Sequence, residues 1–285
     1  MAVIEPQPAA RALKAPVRNR YFHGKLLDVY HFQLETDYMN AKRYLLNRLV
    51  SGYGVVCGLD VTCEPDERHI VVEPGVAIDK WGREIIVPER THPIPIPDYL
   101  LAPEGGQGYG QKGGQGYDQG GGQEGGQGYS KPPRPGYGHG GEEREEEGVF
   151  RVMLCYHECE SDPMPVLVGD CGTVEECAAG SIRERYRITF KEGPAPPIRL
   201  HCRIPDLFHG DRLDYEALAK HVSEGCPEPP ADPCIPLANL RPGEDGCDPE
   251  RIDITVRPLV YANDLLLEII LSLLEEERDD HRHAK

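Results

Sequence analysis

A net charge of −17 over 285 residues excludes a nucleic-acid groove, because each phosphate contact needs a cation and this surface repels the backbone. Hydrophobic residues make up 39%, enough for a core, while Gly (32) and Pro (27) concentrate between Glu104 and Gly141. No run reaches the eighteen or so apolar residues of a membrane span; the best, Leu265 to Leu274, is too short and ends in Glu275-Glu276-Glu277.

Met1 to Val17 is rich in Ala and Pro and reads as an extended arm without a signal peptide, so synthesis in the cytoplasm is expected. Asp28 is placed to cap a helix running to about Val50, with Leu34, Tyr38, Ala41, Leu45 and Leu49 at helical spacing. Gly52 and Gly54 end it. Two β runs follow, Val55 to Cys63 and Ile70 to Glu73. A hairpin then pairs Val76–Ile78 with Glu84–Val87 across Asp79-Lys80-Trp81-Gly82. His92 to Pro97 alternates Pro with Ile, which restricts it to an edge strand or a polyproline segment.

From Glu104 to Gly141 the chain is low-complexity, with Gly-Gly-Gln-Gly-Tyr occurring three times. Such a segment buries too little apolar surface to offset its ordering entropy, and reads as a flexible insertion. A Tyr/Gly adhesive segment or a strap between subunits is the functional alternative. Strands are expected at Phe150 to Tyr156, Arg185 to Phe190 and Ile198 to Ile204, and a short helix at Leu213 to His221. Cys234 to Leu240 and Ile252 to Val256 read as two more strands joined by the polar turn Pro242 to Gly246. Pro258 suits the first turn of a final helix reaching about Glu276, whose apolar face includes Leu259, Leu266, Ile269, Ile270 and Leu273.

These elements predict an α+β fold, mainly antiparallel β of sandwich or barrel-like form, with a leading amphipathic helix and a C-terminal helix. The chain divides into an arm (1–18), a helix-plus-hairpin unit (19–103) and the insertion (104–148). A second part of the β domain with Cys-rich loops (149–257) and a C-terminal helix with a charged tail (258–285) complete it.

Ten cysteines carry the remaining chemistry: Cys57, Cys63, Cys155, Cys159, Cys171, Cys177, Cys202, Cys226, Cys234 and Cys247. Each is a candidate for a disulfide. Cys57 and Cys63, six apart in an extended run, point to one sheet face and also suit a buried-thiol reading. Cys155, His157 and Cys159 alternate along one strand and, with Cys171 and Cys177, compose the one cluster suited to structural zinc. Disulfides or free thiols explain the same residues. No nucleophile elbow, phosphate loop or paired-histidine metalloprotease motif occurs, so neither catalysis nor a cofactor is expected. Arg183, Glu184 and Arg185 alternate at a strand start, which fits a salt-bridged edge, a subunit contact or a solvated face.

Three blocks carry a resemblance: Arg20-Tyr21-Phe22-His23-Gly24-Lys25-Leu26-Leu27, the stretch Asn47 to Leu59, and Pro74 to Ile85. They resemble uncharacterised proteins encoded beside contractile phage-tail-like injection systems and the attachment domains of phage tail fibres and baseplate proteins. Ile235-Pro236-Leu237-Ala238 with Ile252-Asp253-Ile254 is similar to a β module repeated in fibre proteins. Together the blocks span roughly residues 19–97 and 149–275. The resemblance implies a non-enzymatic structural subunit of a tail-like or filamentous particle, partnered by copies of itself and other subunits. Its expected contacts are Leu34, Tyr38, Leu45 and Leu49 on the first helix, and Leu259, Leu266, Ile270 and Leu273 on the last. A self-assembling extracellular filament or sheath with outward Tyr/Gly segments is the second reading. A zinc-binding or redox protein built on the Cys/His cluster is the third. In the first two, the product is a particle or filament released outside the cell.

Overall fold

The computed structural model describes residues 13–63, 68–101, 148–166, 177–198, 202, 204, 207–210, 212–241 and 247–283. The expected arm over residues 1–12, nearly all of the insertion, Cys171 and the turn 242–246 lie outside the described residues.

Helix α1 (Val29–Leu46) starts where a capping box closes it. The Asp28 carboxylate accepts from the His31 amide at 3.2 Å, and the Asp28 amide donates to the His31 ring at 3.4 Å. A π-helical turn, Asn47–Ser51, extends it to Gly52, where φ of 81° stops the helix. β1 (Gly54–Gly58), β2 (Val61–Thr62) and β3 (His69–Val72) follow. The predicted hairpin is β4 (Gly75–Ile78) with β5 (Glu84–Val87), in the register Ile78 to Glu84 and Val76 to Ile86. β6 (Ile94–Pro95) is an edge strand beside β3, and α2 (Asp98–Leu101) is a single turn.

The second half opens on a long ribbon, β7 (Phe150–Pro165) paired antiparallel with β8 (Cys177–Glu192). Both strands are much longer than the periodicity predicts, because cross-strand pairing continues beyond the core into solvent, where burial no longer patterns the sequence. β9 (Phe208–His209), β10 (Arg212–Leu213) and α3 (Tyr215–Val222) form a small excursion. β11 (Ile235–Leu240) pairs with β7 on one side and β12 (Ile252–Asp253) on the other. α4 (Asn263–His283) closes the chain.

The fold is α+β and mainly antiparallel, with sheets ordered β1-β4-β5, β2-β3-β6 and β12-β11-β7-β8 that do not close into a barrel. One apolar cluster joins Leu59, Ile70, Val72 and Ile85 from the first half to Phe150, Leu154, Leu237 and Leu240 from the second. Both halves are therefore stabilised by the same burial, and neither helix α1 nor the described part of α4 contributes a buried side chain.

Four expectations are corrected. The run Val55 to Cys63 is not one strand: a bulge between Val55 and Cys57 and left-handed Gly58 and Leu59 (φ 65° and 59°) turn the chain. Cys57 and Cys63 consequently part company, Cys57 exposed and Cys63 bonded elsewhere. Ile198, Cys202 and Ile204 are not in a strand, and the other residues of that expected strand, 199–201 and 203, lie outside the described residues. The strand at Ile252 ends at Asp253, whose carboxylate accepts from the Thr255 amide at 2.9 Å and turns the chain. Pro258 does not start the last helix. Its carbonyl accepts from Val55 at 2.8 Å while Val260 donates to Val55 at 2.9 Å, so 258–260 run beside β1 and α4 begins five residues later. Gly54, at φ 138°, is required there, since a Cβ would stand 2.3 Å from the Pro258 carbonyl oxygen.

Candidate functional site

Helix α4 leaves the sheet after Val260, which is buried, and from that point no side chain described on it is buried among the described residues. Leu265, Leu266, Leu267, Ile269, Ile270, Leu271, Leu273 and Leu274 are all exposed, from 37% to 58%. At roughly 100° per residue these side chains sweep about 240° of the helix, leaving Glu268 and Ser272 in the polar remainder. A helix so apolar is ordinarily enclosed by protein on several sides. Of the expected contacts on this side, Leu266, Ile270 and Leu273 fall on the bare surface, and Leu259 is exposed beside β1.

Helix α1 is fastened differently. Leu34, Tyr38 and Leu45 are half-buried and Leu49 is 37% exposed, while Val29, Tyr30, Phe32, Met39 and Leu46 face solvent. Its apolar residues therefore spread around the helix instead of forming the single stripe predicted. What holds its C-terminal end is polar. The Asn47 side chain donates to the Gly82 carbonyl at 2.9 Å and to Glu84 at 2.8 Å, and Arg43 pairs with Glu84 at 3.2 Å. Gly82 (φ 90°) permits the approach, because a Cβ there would meet the Tyr44 carbonyl oxygen at 2.1 Å.

Under that junction lies a buried ion pair that reading the sequence misses. Asp79 is fully buried, and Arg83 nearly so. The Asp79 carboxylate accepts from the Trp81 and Arg83 amides, each at 2.9 Å, and from the Arg83 guanidinium at 2.6 and 2.7 Å. The guanidinium is sandwiched between the Trp81 ring at 4.6 Å and the Tyr156 ring at 4.4 Å. Burial pushes the Asp79 carboxyl up from its ordinary value, opposed by the Arg83 charge and the two amides. Tyr156, buried and donating to Glu158 at 2.8 Å, has its phenol pushed up, first by burial and then by that bond to its neutral form. In the sequence an Asp and an Arg four apart in a hairpin loop look like ordinary surface charge.

Among the described residues the cysteines separate into two disulfides and a set of thiols. Cys63 bonds Cys247 and Cys155 bonds Cys234. The zinc cluster thereby loses Cys155. His157 stands 3.2 Å from the Arg187 guanidinium, Cys159 is a half-buried thiol, and Cys177 lies at the far end of the ribbon opposite Pro165. Among the described residues no group of three His, Cys, Asp or Glu is placed to hold a metal. Cys57, Cys202 and Cys226 are exposed thiols. Arg183 forms a cross-strand ion pair with Asp162 at 3.0 Å, the salt-bridged edge among the readings of that stretch.

A recess of about 690 Å³ opens between β11, β12 and Pro194, lined by Asn239, Arg241, Glu250, Arg251 and Asp253 among others. Two of its polar side chains are engaged within the fold: Arg251 pairs with Asp248 at 3.1 Å and Asn239 accepts from the Ala195 amide at 2.7 Å. Among the described residues no helix is long and apolar enough to cross a membrane. No family model matches the chain, and no curated protein matches it.

Proposed function

We propose that the chain is a non-enzymatic structural subunit of a phage-tail-like or filamentous assembly, of baseplate or fibre-attachment type, acting through contacts between subunits. The observation that carries this reading is the uncovered apolar surface of α4. Its eight Leu and Ile residues are each more than a third exposed on one continuous face, the kind of surface that a partner covers in a standard interface of about 800 Å² per side. An arc of about 240° is also wider than the seam of a two-stranded coil, which favours three or more helices around one axis. Copies of this chain, or of companion subunits, supply those helices. The disulfides fit a particle that is made in the cytoplasm and meets oxidising surroundings on release. The filament reading with outward Tyr/Gly segments rests on the insertion, nearly all of it outside the described residues, and no observation favours it.

Sedimentation equilibrium tests the proposal. The intact chain is expected to associate, and Leu266→Gln, Ile270→Gln and Leu273→Gln together are expected to weaken association at least tenfold while leaving the fold intact. Gln is a good helix former, so the loss is assigned to the surface. An intact chain that stays monomeric at high concentration contradicts the reading.

A further inference from the structure

Between α3 and β11 the chain runs Pro227-Glu228-Pro229-Pro230-Ala231-Asp232-Pro233. Pro227, Pro230 and Pro233 recur at every third residue, the repeat of a polyproline II helix. The carbonyl of each accepts one hydrogen bond from the body of the protein. Arg48 donates to Pro227 at 2.6 Å, the Trp81 indole to Pro230 at 2.8 Å, and the Lys80 amide to Pro233 at 3.0 Å. Three donors thus match the period of the segment lying on them.

Apolar burial accounts for only part of this contact, because Pro227 and Pro230 are exposed while Pro229 and Pro233 are half-buried. The donors are themselves pre-set. Trp81 is fixed by the Arg83 guanidinium against its ring and by the hydrogen bond that its backbone amide donates to the Asp79 carboxylate. Arg48 belongs to the π-helical turn that Asn47 pins to the β4–β5 hairpin. Charge adds selectivity. Asp232 accepts from Lys191 at 2.5 Å and from the Cys234 amide at 3.1 Å. Burial works against its ionised form, yet Lys191, that amide and the charge of Lys80 hold the carboxyl below its usual range. A disulfide anchors the segment at one end only, at Cys234, while Cys226 at the other end is a free thiol. Upstream lie left-handed Gly225 (φ 102°) and α3, which contributes no buried residue.

We propose that Arg48, Trp81 and Lys80 form a docking site for acidic polyproline segments, filled in this fold by residues 227–233 of the same chain. A segment with prolines at every third position is already extended, so binding orders little further backbone. An acidic polyproline peptide added from outside competes for the site once the resident strap is loosened. The proposal stands independently of assembly through α4.

Trp81 is the single tryptophan of the chain, so its emission reports occupancy directly. The full chain carrying Pro227→Ala, Pro230→Ala and Pro233→Ala is expected to emit at longer wavelength than the parent. Adding the peptide Pro-Glu-Pro-Pro-Ala-Asp-Pro should reverse the shift saturably. The same peptide with lysine replacing both acids should bind at least tenfold more weakly. Asp232→Lys, which leaves the prolines and the three donors in place, gives a second route to the loosened state if the triple variant fails to fold. Circular dichroism and an intact Cys155–Cys234 bond certify either variant. A folded variant whose emission matches the parent, or which shows no saturable response to millimolar peptide, overturns the proposal.

Discussion

Replacing Asp79 with alanine is expected to lower folding stability by about 3–5 kcal/mol, read as a reduced urea midpoint at unchanged slope. The carboxylate is fully buried and receives four hydrogen bonds, two from turn amides and two from Arg83. Its removal leaves a guanidinium in an apolar sandwich without a counter-charge, and orphans two amides at the head of the β4–β5 turn. The mechanism is checked by removing both charges. Asp79→Leu with Arg83→Met keeps the volume between Trp81 and Tyr156 and should cost far less than Asp79→Ala alone, since burying two ions already carries a large desolvation cost. A single variant within about 1 kcal/mol of the parent would show that the pair is screened by water.

The two disulfides described carry an effect of comparable size. Cys155–Cys234 closes a separation of 79 residues and Cys63–Cys247 one of 184. Chain-entropy arguments assign them about 4.5 and 5 kcal/mol, and removal of native disulfides commonly costs about 2–5. Each pair replaced by serines should lower the unfolding midpoint accordingly. Substitution is preferable to reductant because Cys247 is buried. Cys63–Cys247 links the end of β2 to the segment before β12, so its loss acts on both halves of the shared core. An unchanged midpoint in either serine variant would mean that the corresponding bond does not form in the folded chain.

What the sequence makes legible is local. The β4–β5 hairpin follows from turn residues at Asp79 to Gly82 flanked by β-branched runs, while its register is set by the fold. The start of α1 follows from Asp28, although its capping partner is His31 instead of a Glu or Gln. What escapes it depends on distant partners. Leu59 adopts a left-handed φ that nothing in a leucine announces; its side chain is fully buried, and the core sets the turn. Pro258 suits the first turn of a helix, yet its carbonyl is taken by Val55 across the fold. The proline triplet is visible in the chain, but its donors Arg48 and Trp81 lie 179 and 149 positions away. The surface of α4 is the reverse case. Its apolar face is plain in the sequence, and only the fold reveals that nothing within the described residues covers it.

Hydrogen exchange along residues 265–274 of the intact chain puts the assembly account to its most direct test. A helix without tertiary packing opens readily, so its amides exchange with little protection. The account predicts strong protection of these amides at high protein concentration, falling as the sample is diluted. Rapid exchange at every concentration would contradict it, because the leucines of α4 would then have no cover in solution.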